Sequence, residues 1–247
     1  IPQMADSGEV LTRIRRRKGT VYSALVPNRQ GYARAAAAKA GEIGVFTAAS
    51  EAFAAKNINA TISESIERFA EFVPDAKKAG IRVRAYVSTC WVCPYAGKVE
   101  ARAVADLAKR LLDLKADEIS LGDTVGAAVP SEVERTVKTL LDAGIPAAKL
   151  AFHGHDTRGT ALANVLSALQ SGVATIDSSA GGLGGCPYAP GAAGNLATED
   201  LLYMLAGMGI ETGVSLEKVA AASRMLEAYL GRKLPSRMLM ALGSSKK

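Results

Sequence analysis

The sequence predicts an α/β protein on a parallel sheet, the larger part of an eight-stranded (β/α)8 TIM barrel. Three observations carry that reading. One unit recurs along the chain, in which a helix closes with a small or acidic residue plus glycine and a short apolar run follows. Strands alternating with helices through right-handed crossovers pair in parallel. The unit is met five times, and an earlier run, TVYSALVPN, ends similarly without the glycine, giving six strands in 247 residues, whereas a closed barrel of eight takes about 250. The expectation is therefore a barrel truncated at its N-terminal side, with about six of eight strands present.

The elements follow in order. The opening IPQMADSGEV leads into a helix that ends on the basic run Arg13–Lys18. The six strand runs are TVYSALVPN (20–28), AKAGEIGVF (38–46), KKAGIRVRAYV (77–87), LKADEISLG (114–122), LDAGIPAAKLAF (141–152) and LQSGVATID (169–177). Gly41, Gly80, Asp117, Gly144 and Gly172 mark the helix ends; glycine there adopts the left-handed conformation without a Cβ penalty. The apolar runs read as strands buried on both faces. Thr61-Ile62-Ser63-Glu64 and Ser131-Glu132-Val133-Glu134, the second preceded by Pro130, are predicted capping boxes. Ser215 is expected to cap a last amphipathic helix with Leu216, Val219, Met225, Leu226 and Tyr229 as its apolar face and Gly231 past its end. The tail after Lys233 reads as polar and frayed. No Gly/Ser-rich or Pro-rich linker divides residues 1–247, which predicts a single domain.

Composition excludes several function classes. No run of 18 apolar residues occurs, so nothing in the sequence spans a membrane. Cys90, Cys93 and Cys186 are too few for a disulfide framework, which fits a reducing compartment. The net charge is +6, but the one dense basic run has no interleaved aromatics and sits at a helix end, which argues for a solvated cap and against nucleic acid. Ile1 begins the sequence without signal-peptide character, so the true N-terminus is expected upstream. The alanine-rich, cysteine-poor chain suggests a bacterial cytoplasm, with the mitochondrial matrix as the alternative.

In a parallel barrel, chemistry collects at the C-terminal ends of the strands. Both histidines of the chain lie in AFHGHDT, and at a spacing of two on a strand His153 and His155 face the same side. Two imidazoles there can supply adjacent ligands to one cation; a structural or acid–base use is the alternative. Asp156 is out of phase and suits a helix cap or an outer contact. Asp123, in LGDT, either caps the next turn or serves as an acid–base group beside a substrate hydroxyl. The stretch 181–194, six of its fourteen residues glycine, matches neither a P-loop nor a dinucleotide fingerprint. It is either a mobile lid that carries Cys186 over a site or a loop with an inert thiol. Cys90-Trp91-Val92-Cys93 has no second CxxC partner and reads as coincidental loop cysteines.

GDTVG, FHGHDTRGTALANVLSALQSGV and DSSAGGLGGCPYAPGAAGNLATEDLLYML together resemble the 3-hydroxy-3-methylglutaryl-CoA lyase family. IPQMAD, VPN (26–28), AASEAFAAKNINATISESIERF (48–69) and CPYAGK (93–98) extend the resemblance over nearly the whole chain. The GGLGGCPYAPGAAGN loop is its most specific element, because related metal-dependent barrel synthases share the HxH strand and not the cysteine lid. The resemblance implies a (β/α)8 lyase that cleaves hydroxymethylglutaryl-CoA to acetyl-CoA and acetoacetate with Mg²⁺ or Mn²⁺. It implies His153, His155 and Asn195 as metal ligands, with His153 also counted among the catalytic residues, Cys186 as the lid thiol that protonates or orients the departing enolate, and Asp123 in support of acid–base steps. Asn57, Arg84, Tyr86 and Ser120 fall where substrate or CoA would bind. A homodimer, with neither nucleic acid nor membrane as partner, is expected.

Members of that family begin with a strand bearing an Arg-Asp pair and a second bearing a glutamate and a serine, and neither strand is found in residues 1–247. The aspartate is the family's remaining protein ligand. The chain as written is therefore expected to be poorly soluble, with two open sheet edges, and weakly active. The competing readings are an acyl-CoA-dependent 2-oxo acid synthase on the same barrel and a non-catalytic relative.

Overall fold

The computed structural model of the chain describes residues 5–185 and 194–244. A short helix, α1 (Ser7–Arg13), precedes the first strand, β1 (Ser23–Leu25), and α2 (Arg29–Ala37). Then come β2 (Glu42–Ala48), three helices α3 (Glu51–Ile58), α4 (Ile62–Ala70) and α5 (Val73–Lys78), and β3 (Arg82–Ser88). A hairpin of β4 (Val92–Cys93) and β5 (Gly97–Lys98) leads to α6 (Ala101–Asp113), β6 (Glu118–Asp123), α7 (Pro130–Asp142) and β7 (Leu150–Gly154). The chain continues through α8 (Ala161–Gln170), β8 (Thr175–Asp177), α9 (Thr198–Gly207), α10 (Leu216–Leu230) and α11 (Arg237–Ser244).

Six strands pair in parallel in the order β1-β2-β3-β6-β7-β8, the six the sequence predicts. Among the described residues the outer edges of β1 and β8 are unpaired, so the sheet is a curled half-barrel. Its curl is visible in one contact. Neighbouring strands lie about 4.8 Å apart, so β3 and β8, three steps apart, would be separated by roughly 14 Å if flat. Instead an Arg84 guanidinium nitrogen on β3 lies 2.8 Å from Asp177 Oδ1 on β8.

Register assigns each residue a face. Tyr86 pairs with Ser120, Ser120 with Ala151, Gly122 with His153, and His153 with Asp177. These residues, with Arg84 and Glu118, share the concave face. The convex face carries Val83, Ala85, Val87, Ile119, Leu121 and Phe152, all buried against α5, α6, α7 and α8. Burying each large apolar side chain contributes about 1.5–3 kcal/mol. Gly44 stands where a Cβ would come within 2.9 Å of Tyr86 Cε2, so its lack of a side chain lets the Tyr86 ring lie across β2.

Several helix ends depart from the expected pattern. Gly80, Gly144 and Gly172 take positive φ one residue past the helix cap, as predicted. Gly41 and Asp117 do not. There the left-handed residues are Lys39 (φ 58°) and Lys115 (φ 73°), which directly follow the caps of α2 and α6. A side-chain-bearing residue costs about 1–2 kcal/mol in that conformation, partly offset by the extra entropy glycine loses on folding. Lys115→Gly is therefore expected to stabilise the fold by about 0.5–1 kcal/mol, read as a raised midpoint of urea unfolding at unchanged slope.

The Thr61 capping box forms in both directions, Thr61 N to Glu64 Oε2 at 2.7 Å and Glu64 N to Thr61 Oγ1 at 3.1 Å. At α7 the helix starts earlier than predicted. Pro130 is its first residue, and Glu132, not Glu134, accepts from Val129 N at 3.3 Å. Ser215 and Gly231 bound α10 as expected, with Ser215 Oγ accepting from Lys218 N. The buried face of α10 is only partly the predicted one: Leu226 packs beside the buried Ala220, Ser223 and Glu227, while Met225 and Tyr229 are 67% and 87% exposed. Apolarity misled the reading because Glu227 is drawn inward by Leu234 N–H, Arg224 and Lys233. Nor is α10 the last helix. Asp200 accepts from Ser236 Oγ and the amides of Arg237 and Met238, which ties down α11, and Leu234 and Leu239 are buried. Only 245–247 of the predicted frayed tail lie outside the described residues.

Cys93 lies in the hairpin, which was read as a loop. Its sulfur receives the Ser50 hydroxyl at 3.1 Å and the amides of Tyr95 and Ala96, while Cys90 Sγ donates to Val87 O. Both thiols are buried and free. Arg16, in the basic run, donates to three carbonyls, those of Leu11, Ala38 and Lys39, and stacks over Tyr22. Its role is to close the end of α2.

Candidate metal centre

The concave face opens at the C-terminal strand ends into a cavity of about 170 Å³ lined by Tyr86, Ser88, Ser120, Thr124, His153 and His155. Both histidines reach it because their spacing of two on the β7 line turns them to one side, and their ring centroids lie 5.4 Å apart.

Asn195 arrives from another part of the chain. Residues 194–196 run antiparallel beside the end of β7: Leu196 N donates to Gly154 O, Asp156 N donates to Gly194 O, and Asn195 bridges His155. The Asn195 carboxamide is fixed by Nδ2–H donation to Leu183 O at 2.9 Å. That leaves Asn195 Oδ1 buried with no hydrogen-bond partner, and His155 Nδ1 is in the same condition. Leaving a buried polar group unpaired costs about 1–3 kcal/mol. Two such atoms on bridge-paired residues, one of them lining a polar cavity, fit a cation site. Burial and then the charge of His153 pull His155 down to about 4, which keeps its imidazole neutral, the form that ligates. No group of three or more His, Cys, Asp or Glu able to hold a metal occurs among the described residues, so the carboxamide is needed to complete a protein triad.

Below the histidines lies a charged line. His153 Nδ1 is 3.1 Å from Asp177 Oδ2, Ser120 Oγ donates to the same oxygen at 3.1 Å, and Arg84 pairs with Asp177 Oδ1. Arg84 Nε also lies 3.0 Å from Glu118 Oε1, an ion pair without hydrogen-bond alignment. Burial pushes the Asp177 carboxyl up, but the His153 contact and the Arg84 charge outweigh it and hold it below the usual range. Burial, followed by the Asp177 charge, pushes Tyr86 up to about 12, so its phenol stays protonated.

The candidate residues thus separate. His153, His155, Asn195, Tyr86 and Ser120 converge. Arg84 is 9% exposed and engaged with two carboxylates, so it braces the site. Asn57 lies in the last turn of α3, and no described hydrogen bond joins it to the cluster. Asp123 stands apart from the histidines. It pairs with Gly154, one step out of phase with His153, so it points to the convex side. It is 1% exposed, and its carboxylate accepts the amides of Ala127 and Ala128 at 3.0 and 3.1 Å. Burial raises its pKa, opposed by those two amides. It caps the turn after β6. Asp156 likewise caps α8 through Ala161 N. Cys186 and most of the glycine-rich stretch lie outside the described residues.

Two residues escaped the sequence reading: Asp177, visible only as a strand-end acid, and Glu199. Glu199 is fully buried, and its carboxylate accepts Gly181 N–H at 2.9 and 3.1 Å and the Ser223 hydroxyl. It anchors the stretch that leads to Asn195.

The family model described as HMGL-like matches residues 1–226. A hydroxymethylglutaryl-CoA lyase of Pseudomonas mevalonii is 52% identical over 244 residues, 99% of this chain and 81% of the relative. The chain belongs to the hydroxymethylglutaryl-CoA lyase family. The crystal structure of a family member from Pseudomonas aeruginosa superposes with a TM-score of 0.95 at 44% identity, covering 99% of this chain and 81% of that one. A lyase from Acinetobacter baumannii, solved with coenzyme A and 3-methylmalate, gives a TM-score of 0.92 at 38% identity, covering 100% of this chain and 79% of that one.

Proposed function

We propose that the chain cleaves 3-hydroxy-3-methylglutaryl-CoA to acetyl-CoA and acetoacetate, using Mg²⁺ or Mn²⁺ held by His153, His155 and Asn195. The observation that carries this reading is the adjacent pair of buried, unpartnered atoms, His155 Nδ1 and Asn195 Oδ1, beside His153. A divalent cation there would polarise the hydroxyl and carbonyl oxygens of a chelating substrate and offset developing negative charge. The family relative solved with coenzyme A supports an acyl-CoA as the ligand class.

The reaction sets the demands on the residues. The substrate's tertiary hydroxyl gives up its proton as the bond to the thioester α-carbon breaks. That carbon's electron pair becomes a thioester enolate, which takes a proton to give acetyl-CoA, while the hydroxyl carbon becomes the ketone of acetoacetate. Tyr86, as a protonated phenol, and Ser120, whose hydroxyl is committed to Asp177, border the cavity as orienting groups. Asp123, which the family resemblance puts in support of acid–base steps, is held by the amides of Ala127 and Ala128 behind the strand end. Cys186 is assigned the delivery of a proton to the enolate carbon on the strength of the family resemblance. That resemblance also supports a single-domain lyase acting as a homodimer in a bacterial cytoplasm. No described helix is long and apolar enough to cross a membrane.

Incubation with hydroxymethylglutaryl-CoA and Mn²⁺ is expected to release acetoacetate and to stop on chelation. Incubation with acetyl-CoA and 2-oxo acids is expected to give no condensation product. Residues 1–247 alone should turn over slowly, because the Arg-Asp strand of the family is not found among them. No acetoacetate and no calorimetric Mn²⁺ binding, even with an Arg-Asp-bearing strand supplied, would end the proposal.

A further inference from the structure

The carboxylate of Asp177 divides its work. Oδ1 faces Arg84, an ion pair that reaches across β6 and β7, while Oδ2 receives Ser120 Oγ and lies 3.1 Å from His153 Nδ1. His153 and Asp177 are registered partners on adjacent strands, so the contact is fixed by sheet geometry and does not depend on a loop. On its other side the His153 ring meets the Tyr86 ring edge-on at 6.2 Å and 90°, and Tyr86 is itself backed by the Arg84 guanidinium, 4.9 Å above its centroid. Arg84 in turn is held by Glu118. The result is a line, Glu118–Arg84–Asp177–His153, that ends on an imidazole at the cavity.

We propose that Asp177 is a positioning residue: it accepts the Nδ1–H of His153, fixing that tautomer and ring orientation so that Nε2 is the nitrogen left for the cavity. A carboxylate behind a ligating histidine raises its basicity and removes its choice of nitrogen. Arg84, itself held by Glu118, pins Asp177 through Oδ1, and Ser120 donates to Oδ2 beside the ring. The purely architectural alternative is an ion pair that only pins the curl. In that case Oδ2 has no need of a ring nitrogen, and His153 could adopt either tautomer. The inference rests on the cation site proposed above, but its first readout does not.

The chain has only two histidines, so ¹⁵N–¹H correlation spectra of the imidazoles at mildly alkaline pH resolve both rings in metal-free protein. His153 is expected as the Nδ1–H tautomer. An Nε2–H tautomer for His153 overturns the proposal without any substitution and whatever the fate of the lyase reading. In Asp177→Ala, and in the isosteric Asp177→Asn should alanine fail to fold, the Nδ1–H preference is expected to weaken, with Mn²⁺ affinity falling about 10- to 100-fold. Glu118→Gln, which loosens Arg84 but leaves the Asp177–His153 contact, is expected to retain the tautomer. An unchanged tautomer in both Asp177 variants sinks the idea even if their stability drops. A tautomer that shifts as expected in a protein that binds no Mn²⁺ supports the positioning role and removes the cation reading alone.

Discussion

Asn195→Ala is expected to weaken Mn²⁺ binding by at least the 10- to 100-fold seen when a group one shell further out is removed, with acetoacetate release falling at least in proportion. Asn195 Oδ1 is buried without a partner, on a residue bridge-paired with His155. Its direction is not free, since Nδ2 is spent on Leu183 O and a Cβ on Gly184 would lie 2.5 Å from that nitrogen. The substitution removes the oxygen proposed to bind the cation and also strands the Leu183 carbonyl, a cost of about 1–3 kcal/mol. Stability and affinity must therefore be measured together, by urea unfolding in chelator and by calorimetry in Mn²⁺. Asn195→Asp separates the two effects. It keeps an oxygen for the cation but replaces the donor to Leu183 O with an acceptor, so it should recover part of the Mn²⁺ affinity while remaining less stable. Wild-type affinity in Asn195→Ala would remove Asn195 from the ligand set.

The second large effect is expected at the foot of the glycine-rich stretch. Gly181 has φ +62°, and a Cβ there would stand 2.3 Å from Leu234 Cδ1 and 2.9 Å from Leu234 Cβ. Leu234 is 1% exposed and packed with Ala220 and Leu239, so it has little room to withdraw. Left-handed backbone strain and overpacking together put Gly181→Ala at about 3 kcal/mol or more of lost stability. Its amide is also the one Glu199 holds, so displacement there shifts Leu183, whose carbonyl holds Asn195, and should lower Mn²⁺ affinity. Leu234→Ala in the same chain removes the clash but not the backbone strain. A double-mutant cycle should then show a favourable coupling of about 1 kcal/mol or more. Additivity would mean that the cost lies in φ alone.

The repeat was legible because each βα unit announces itself twice, by an apolar run and by a helix stop. Five of the six strands carry both signals, and β1 carries the apolar run alone. The stops were less secure, since Lys39 and Lys115 adopt the left-handed conformation although they lack glycine's freedom. Nothing in their side chains marks them, and the following strand forces the turn. The His153/His155 pair was readable because period two is a strict rule on a strand. The same rule, applied one residue further along LGDT, would have turned Asp123 away from the site; the resemblance outweighed it. The support around His153 was not readable. Arg84, Asp177 and Glu118 meet only because the sheet curls, and curvature leaves no local mark in the sequence. The α10 face failed for a related reason, as Glu227 is held inward by partners on a segment beyond the helix.

The two outermost strands are also the shortest of the parallel sheet, three residues each against five to seven for the four between them. A visiting polypeptide could therefore form only a few backbone bonds to either flank, too short a seam to nucleate an ordered stack of molecules. For residues 1–247 taken alone, any loss from solution should accordingly be amorphous, giving turbidity without thioflavin fluorescence. The remedy would lie in shielding greasy surface, not in blocking strands.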